Sequence, residues 1–137
     1  MKSKYNTNLA AEFYVLSMLH RLGAEATLTL GNRKAVDIVI VREGGDAVTV
    51  DVKGLAGTTE WPVDNVETGA PRKDHYLVFV SFLNHIDNPQ VVPEVYVIPS
   101  TAVGPFVITA DSGRKFVRLG RLRKEAQDYK DAWEQLT

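Results

Sequence analysis

Three carboxylates and one amine stand out in the sequence: Glu12, Asp37, Asp51 and Lys53. Asp51 and Lys53 interrupt the run Val48-Thr49-Val50-Asp51-Val52-Lys53-Gly54, in which apolar and polar residues alternate. Successive side chains of a strand point to opposite faces, so Asp51 and Lys53 share one face and the three valines the other. Aspartate and lysine are poor strand residues, and nothing local calls for them in a valine ladder. Hard oxygen ligands suit magnesium, which one or two carboxylates hold while several waters remain; manganese takes the same donors. A cation held this way polarises a phosphate and lowers the pKa of a bound water. An ammonium beside it can orient that water, take up charge on the phosphate, or act as a base. Residues of these types would suit metal-assisted hydrolysis of a phosphodiester.

The flanking elements must deliver Glu12 and Asp37 to that strand. Residues 8–22 read as an amphipathic helix, with Asn8 as N-cap and Gly23 at the left-handed stop. Leu9, Phe13, Leu16 and Leu19 recur at helical spacing and are predicted to pack on a sheet. Glu12 falls at the edge of that stripe, either as a first-turn acid favoured by the helix dipole or as a carboxylate aimed along the sheet. Thr27–Leu30 reads as a short strand ending at Gly31-Asn32. Val36–Val41 is nearly all apolar, the pattern of a strand covered on both faces, except for Asp37. Glu43-Gly44-Gly45-Asp46 then turns the chain back as a hairpin. A two-residue Gly44-Gly45 loop would hide Asp37 from Asp51. A three-residue loop over Glu43, Gly44 and Gly45, with a left-handed glycine, sets 37 opposite 51.

Beyond Gly54, Leu55–Pro71 has no clear period and reads as a loop, with an irregular strand around Trp61. Tyr76–Phe82 and Glu94–Ile98 are further strands, and Pro99-Ser100 marks a turn. Phe106–Thr109 and Lys115–Leu119 form a small hairpin. Residues 121–136 read as a last helix with Leu122, Ala126, Tyr129, Trp133 and Leu136 on one stripe. The order predicts an α/β fold: an N-terminal helix, a mixed central β-sheet opening with an antiparallel hairpin, and a C-terminal helix, in a single domain spanning residues 1–137.

Composition narrows the function. The 137 residues are 45% hydrophobic and 24% charged, as in a globular protein that buries a core without staples. A net charge of −1 gives no global pull toward nucleic acid or acidic membranes, so such a partner must meet a local patch. The absence of cysteine excludes disulfides and thiolate metal sites. No apolar run reaches the length of a membrane span. Lys2 and Lys4 precede an apolar stretch, but Glu12 lies within it and His20-Arg21 closes it without a cleavage site, so a cytoplasmic protein is expected. Arg114, Lys115, Arg118, Arg121, Arg123 and Lys124 read first as a solvated face with pairs such as Arg121-Glu125, and second as an edge for phosphates. Trp61 and Trp133 read as core or interface anchors rather than base-stacking platforms, and His20, His75 and His85 as scattered singles.

Asp37, thirteen intervening residues and then Asp51-Val52-Lys53 resembles the motif of the PD-(D/E)XK nucleases, with Glu12 matching the acid often found on their first helix. Val36 stands where the motif has proline, and Asp51 fills the acid position more often held by Glu. The element order over residues 8–99 is similar to the restriction-endonuclease-like core, including Holliday-junction resolvases. Tyr129-Lys130-Asp131-Ala132-Trp133 looks like the ending of small uncharacterised members. The resemblance implies an endonuclease that hydrolyses DNA with magnesium or manganese. Asp37, Asp51 and the Val52 carbonyl would be metal ligands, Glu12 would serve a second ion, and Lys53 would position the attacking water. A homodimer would let one small site serve each strand. The alternative is a catalytically inactive module binding nucleic acid or a protein, and a third reading leaves Asp51-Lys53 as a surface ion pair with Glu12 and Asp37 elsewhere.

Overall fold

The computed structural model describes residues 3–29, 36–64, 66 and 72–137. Helix α1 runs Lys4–Arg21, starting earlier than Asn8 because Ser3 is a working cap. The Ser3 hydroxyl accepts the Asn6 N–H while the Asn6 side chain takes the Ser3 N–H. This is a capping box with asparagine in the place usually held by Glu or Gln. Ser3→Ala should lower stability by about 1 kcal/mol, read as a fall in the thermal midpoint. The far end closes as predicted: Gly23 has φ +84°, its N–H bonds the His20 carbonyl, and the Ala24 N–H reaches back to Leu19.

The buried row of α1 is Thr7, Ala11, Val15 and Leu19. Of the predicted stripe Leu19 is fully buried and Leu16 packs half-buried against the core, while Leu9 is half-buried and Phe13 turns away, 53% exposed. Small residues decide this, because Thr7 and Ala11 let the helix approach the sheet closely whereas Leu9 and Phe13 would hold it off.

The strands are β1 (Glu25–Leu28), β2 (Ile38–Val41), β3 (Ala47–Leu55), β4 (Glu60–Pro62), β5 (His75–Ser81), β6 (Glu94–Pro99), β7 (Ile108–Thr109) and β8 (Lys115–Arg118). The main sheet has the order β1-β2-β3-β5-β6, antiparallel throughout except for the parallel β3–β5 pair. Leu30 and the Gly31-Asn32 turn lie outside the described residues, as do Gly69 and Pro71 of the long loop. Alternation partitions β3 as predicted. Val48, Val50 and Val52 join Ala11, Val15 and Leu19 in one core cluster. On the opposite face Leu77 and Phe79 of β5 pack with Trp61, under a second sheet of order β4-β8-β7 and the helix α2 (Leu119–Glu125). β2 is covered less fully than predicted: Val39 is half-buried and Val41 exposed.

The predicted helix over residues 121–136 survives only as α2. Beyond it come 3-10 turns at Gln127–Tyr129 and Trp133–Gln135, with Asp131 at φ +51°. The edge of β6 accounts for the break. Its open backbone groups draw the tail alongside, so that Asp131 N–H bonds the Val95 carbonyl and Gln135 Nε2 the Val97 carbonyl. Leu122, Ala126, Trp133 and Leu136 are still buried. Among the described residues no helix is long and apolar enough to cross a membrane.

Candidate active site

The β2–β3 turn has the odd-length form that the site requires. Arg42 N–H bonds the Asp46 carbonyl around Glu43, Gly44 and Gly45, and Gly45 takes φ +88°. Ladder partners therefore total 88, from Val41↔Ala47 to Ile38↔Val50. One step further would set Asp37 opposite Asp51. There the chain leaves the ladder: Asp37 N–H bonds the Val50 carbonyl, and Thr29 N–H bonds the Asp37 carbonyl.

That departure frees the edge of β3 beyond Val50. Into the gap turns the Asp37 side chain, whose Oδ2 accepts the Val52 N–H at 2.7 Å. The N–H and C=O of one strand residue point the same way, so the Val52 carbonyl faces this open edge too. Asp37 and Val52 thus form a small backbone-anchored corner.

Asp51 stands beside the corner and is 3% exposed. Lys53 Nζ lies 3.4 Å from its Oδ2, an ion pair, yet no hydrogen bond reaches that buried oxygen. Burial pushes the Asp51 carboxyl up to about 6 against the pull of Lys53, and the Asp37 charge adds to the rise. Glu12 arrives from α1, half-buried. Burial pushes it up to about 7, with the charges of Asp37 and Asp51 adding to the effect. Glu12 is therefore close enough to feel Asp37 and Asp51, and Asp51 to feel Asp37 and Lys53, while the Asp51-Lys53 pair is buried where a surface bridge was the bland expectation. Among the described residues no three carboxylate or imidazole side chains are already gathered to hold an ion by themselves.

Glu12 reaches the site because α1 comes down on Gly54. A Cβ there would stand 2.9 Å from Ala11 Cβ and 3.0 Å from the Thr7 carbonyl oxygen. Gly54 is a site-shaping residue that the sequence reading took for a strand terminus; a glycine inside an alternating strand was the available signal. The whole opens on a cleft of about 750 Å³, with α1 on one side and β4 on the other. Trp61 anchors the β4 wall: its ring meets Phe79 edge-on at 5.2 Å and its Nε1 donates to the Val80 carbonyl.

The basic C-terminal segment is largely neutralised, in keeping with the solvated-face reading. Arg114 pairs with Asp64, Arg118 with Glu60, Arg121 with Glu125 and Arg123 with Glu94. Arg72 is spent on His75, whose Nε2 it meets at 2.9 Å. Burial, with Arg72 adding, pushes His75 down to about 4, so it is neutral and binds Thr49 Oγ1 through Nδ1.

Asp51 Oδ2 is thus buried with the Lys53 ammonium as its ion-pair partner and no hydrogen bond, which leaves it coordination that a divalent cation would fill. Comparison with known proteins places the fold. The chain matches the structure of a bacterial homing endonuclease, I-Ssp6803I, at a TM-score of 0.61 and 19% identity, over 98% of this chain and 91% of that one. No family profile matches the sequence, and no curated protein matches it.

Proposed function

We propose that the protein is a metal-dependent endonuclease of the PD-(D/E)XK, restriction-endonuclease-like type, hydrolysing DNA phosphodiester bonds. The buried Asp51 Oδ2 carries the reading: it meets Lys53 as an ion pair but accepts no hydrogen bond, whereas a buried carboxylate kept for structure normally has its hydrogen bonds made. The fold shared with an endonuclease supports it. Asp37, Asp51 and the Val52 carbonyl would hold magnesium or manganese, and Glu12 would hold or orient a second ion. A bound cation supplies charge neutralisation at the phosphate and an acidified water.

The chain's own groups define the rest. Three carboxylates against one amine leave the cleft floor negative, so a phosphate is repelled until that charge is offset. Lys53 is fixed by Asp51 with its ammonium at the site, where it positions the attacking water or meets charge building on the phosphate. Asp37, held by the Val52 N–H, keeps the strand edge from closing.

Purified protein incubated with labelled DNA should cut it in magnesium or manganese, and chelation with EDTA should abolish cutting. Cleavage that persists in EDTA sinks the metal-dependent mechanism. A second reading, a catalytically silent module, draws on the Lys53–Asp51 ion pair as an internal bridge. It predicts binding indifferent to divalent metal and no cleavage of any DNA.

A further inference from the structure

Helix α1 offers the cleft more than Glu12. At 3.6 residues per turn, Lys4, Asn8 and Glu12 form one row beside the buried row of Thr7 and Ala11, and all three line the cleft. The next row, farther from the core, is Tyr5, Leu9 and Phe13. Its aromatic rings stand proud: Tyr5 is 70% exposed and Phe13 53%, whereas Leu9 between them is half-buried. Between Lys4 and Arg21 the helix has Glu12 as its one charged residue, so its solvent face lacks the charges a surface helix normally carries. This exposed aromatic row lies on α1 next to the row that lines the cleft, and exposed apolar side chains so grouped mark a contact surface.

The cleft beside it is suited to a backbone. Among the described residues two cations line it, Lys4 and Lys53. Lys53 is paired with Asp51, while Lys4 has no ion-pair partner among the described residues. The row from Glu12 through Asn8 to Lys4 therefore runs from the carboxylates to an uncommitted cation, a path from the reacting phosphate to the next contacts along a strand.

Resting on the nuclease reading above, we propose that the substrate strand is unpaired where it crosses α1, its phosphates following Lys4 and Asn8 and its bases stacking on Tyr5 and Phe13. Bases inside an uninterrupted duplex have both faces covered by neighbours, so their rings cannot lie on these side chains. Eight helical residues separate the two rings by about 12 Å along the axis, far more than the ~3.4 Å base spacing of a duplex strand, so each ring takes its own base. The substrate class is single-stranded or locally unpaired DNA.

The test is fluorescence anisotropy with a fluorescein-labelled single strand and the same strand in duplex. The protein with its site intact is used with calcium in place of magnesium, a cation the same oxygen donors take, the strands being recovered uncut afterwards, with circular dichroism checking the fold of each variant. The single strand should bind at least tenfold more tightly than the duplex. Tyr5→Ala or Phe13→Ala should each weaken single-strand binding about tenfold and leave duplex binding unchanged. Lys4→Ala should weaken both and reduce the salt slope by about 0.7–0.9. Single-strand binding untouched by the aromatic substitutions overturns the proposal. So does light scattering showing a dimer that Phe13→Ala dissociates, which assigns the row to a second copy of this chain. Equal binding of both forms defeats the unpaired-strand proposal alone, and binding of neither takes the nuclease reading with it.

Discussion

Asp51→Asn is expected to abolish DNA cleavage, with a loss of a thousandfold or more, and to stabilise the metal-free fold at pH 8. The activity loss follows from removing the charged oxygen that would hold the cation. The stability gain follows from burial: Asp51 is 3% exposed and its Oδ2 has no hydrogen bond, so the ionised form is held at a cost. Asparagine keeps the shape without the charge, and the gain should be about 1–3 kcal/mol less whatever the Lys53 ion pair contributed. The pH dependence fixes the sign. Asp51 and Glu12 are raised from 3.8 and 4.5 to about 6 and about 7. Between about pH 4 and 7 the native chain therefore binds more protons than the unfolded chain, and stability falls as pH rises through that window. The destabilisation is complete above about pH 7 and absent below about pH 4. Thermal melts should show wild type losing stability from pH 4 to 8 and Asp51→Asn losing less. Magnesium should raise the wild-type midpoint at pH 8 and leave that of the variant nearly unmoved. A variant less stable than wild type at pH 8 without metal would sink the account of Asp51 as a strained ligand.

The alternating strand was legible because period-two patterning is set by the covalent geometry of β-structure, and Val48, Val50 and Val52 take one face as that geometry demands. The turn was legible as a choice between two registers. Loop length alone did not decide it, but Gly45 at φ +88° did. The helix failed at finer scale. Leu9, Phe13, Leu16 and Leu19 have the spacing of a core stripe, yet only the Leu16–Leu19 end reaches the core, because periodicity cannot tell a buried row from an exposed one a position away. Thr7 and Ala11 won the sheet because they are small, a packing preference that hydrophobicity ranks backwards. The C-terminal stripe misled differently, since its residues are buried as read but reach the core through turns bonded to the β6 edge. Long-range backbone demand leaves no local mark in a sequence. The convergence of Glu12 on Asp51 was legible in residue type alone, because the contact that creates it is made by Gly54, which carries no chemistry.

Gly54→Ala is accordingly the substitution that should separate the fold from the site. The new methyl would stand 2.9 Å from Ala11 Cβ and 3.0 Å from the Thr7 carbonyl oxygen, contacts too short to keep. Backbone on the helix side cannot rotate away as a side chain would, so the first half of α1 must move off the sheet. Overpacking of this kind costs about 1–3 kcal/mol. Glu12 follows Ala11 by one residue and would retreat with it, while Asp37 stays tied to the Val52 N–H and Asp51 stays in β3. Cleavage should then fall by at least tenfold at saturating DNA, with the magnesium requirement shifted to higher concentration. Gly44→Ala is the control, since a Cβ there meets Asp46 Oδ1 at an ordinary 3.4 Å and should leave stability within about 0.5 kcal/mol. Adding Ala11→Gly to Gly54→Ala removes the methyl–methyl clash and should recover part of the activity, even though glycine within a helix costs about 1 kcal/mol of its own. Activity that follows stability across these variants would make Gly54 a packing residue alone. Activity that recovers while stability does not would tie the approach of α1 to the placement of Glu12.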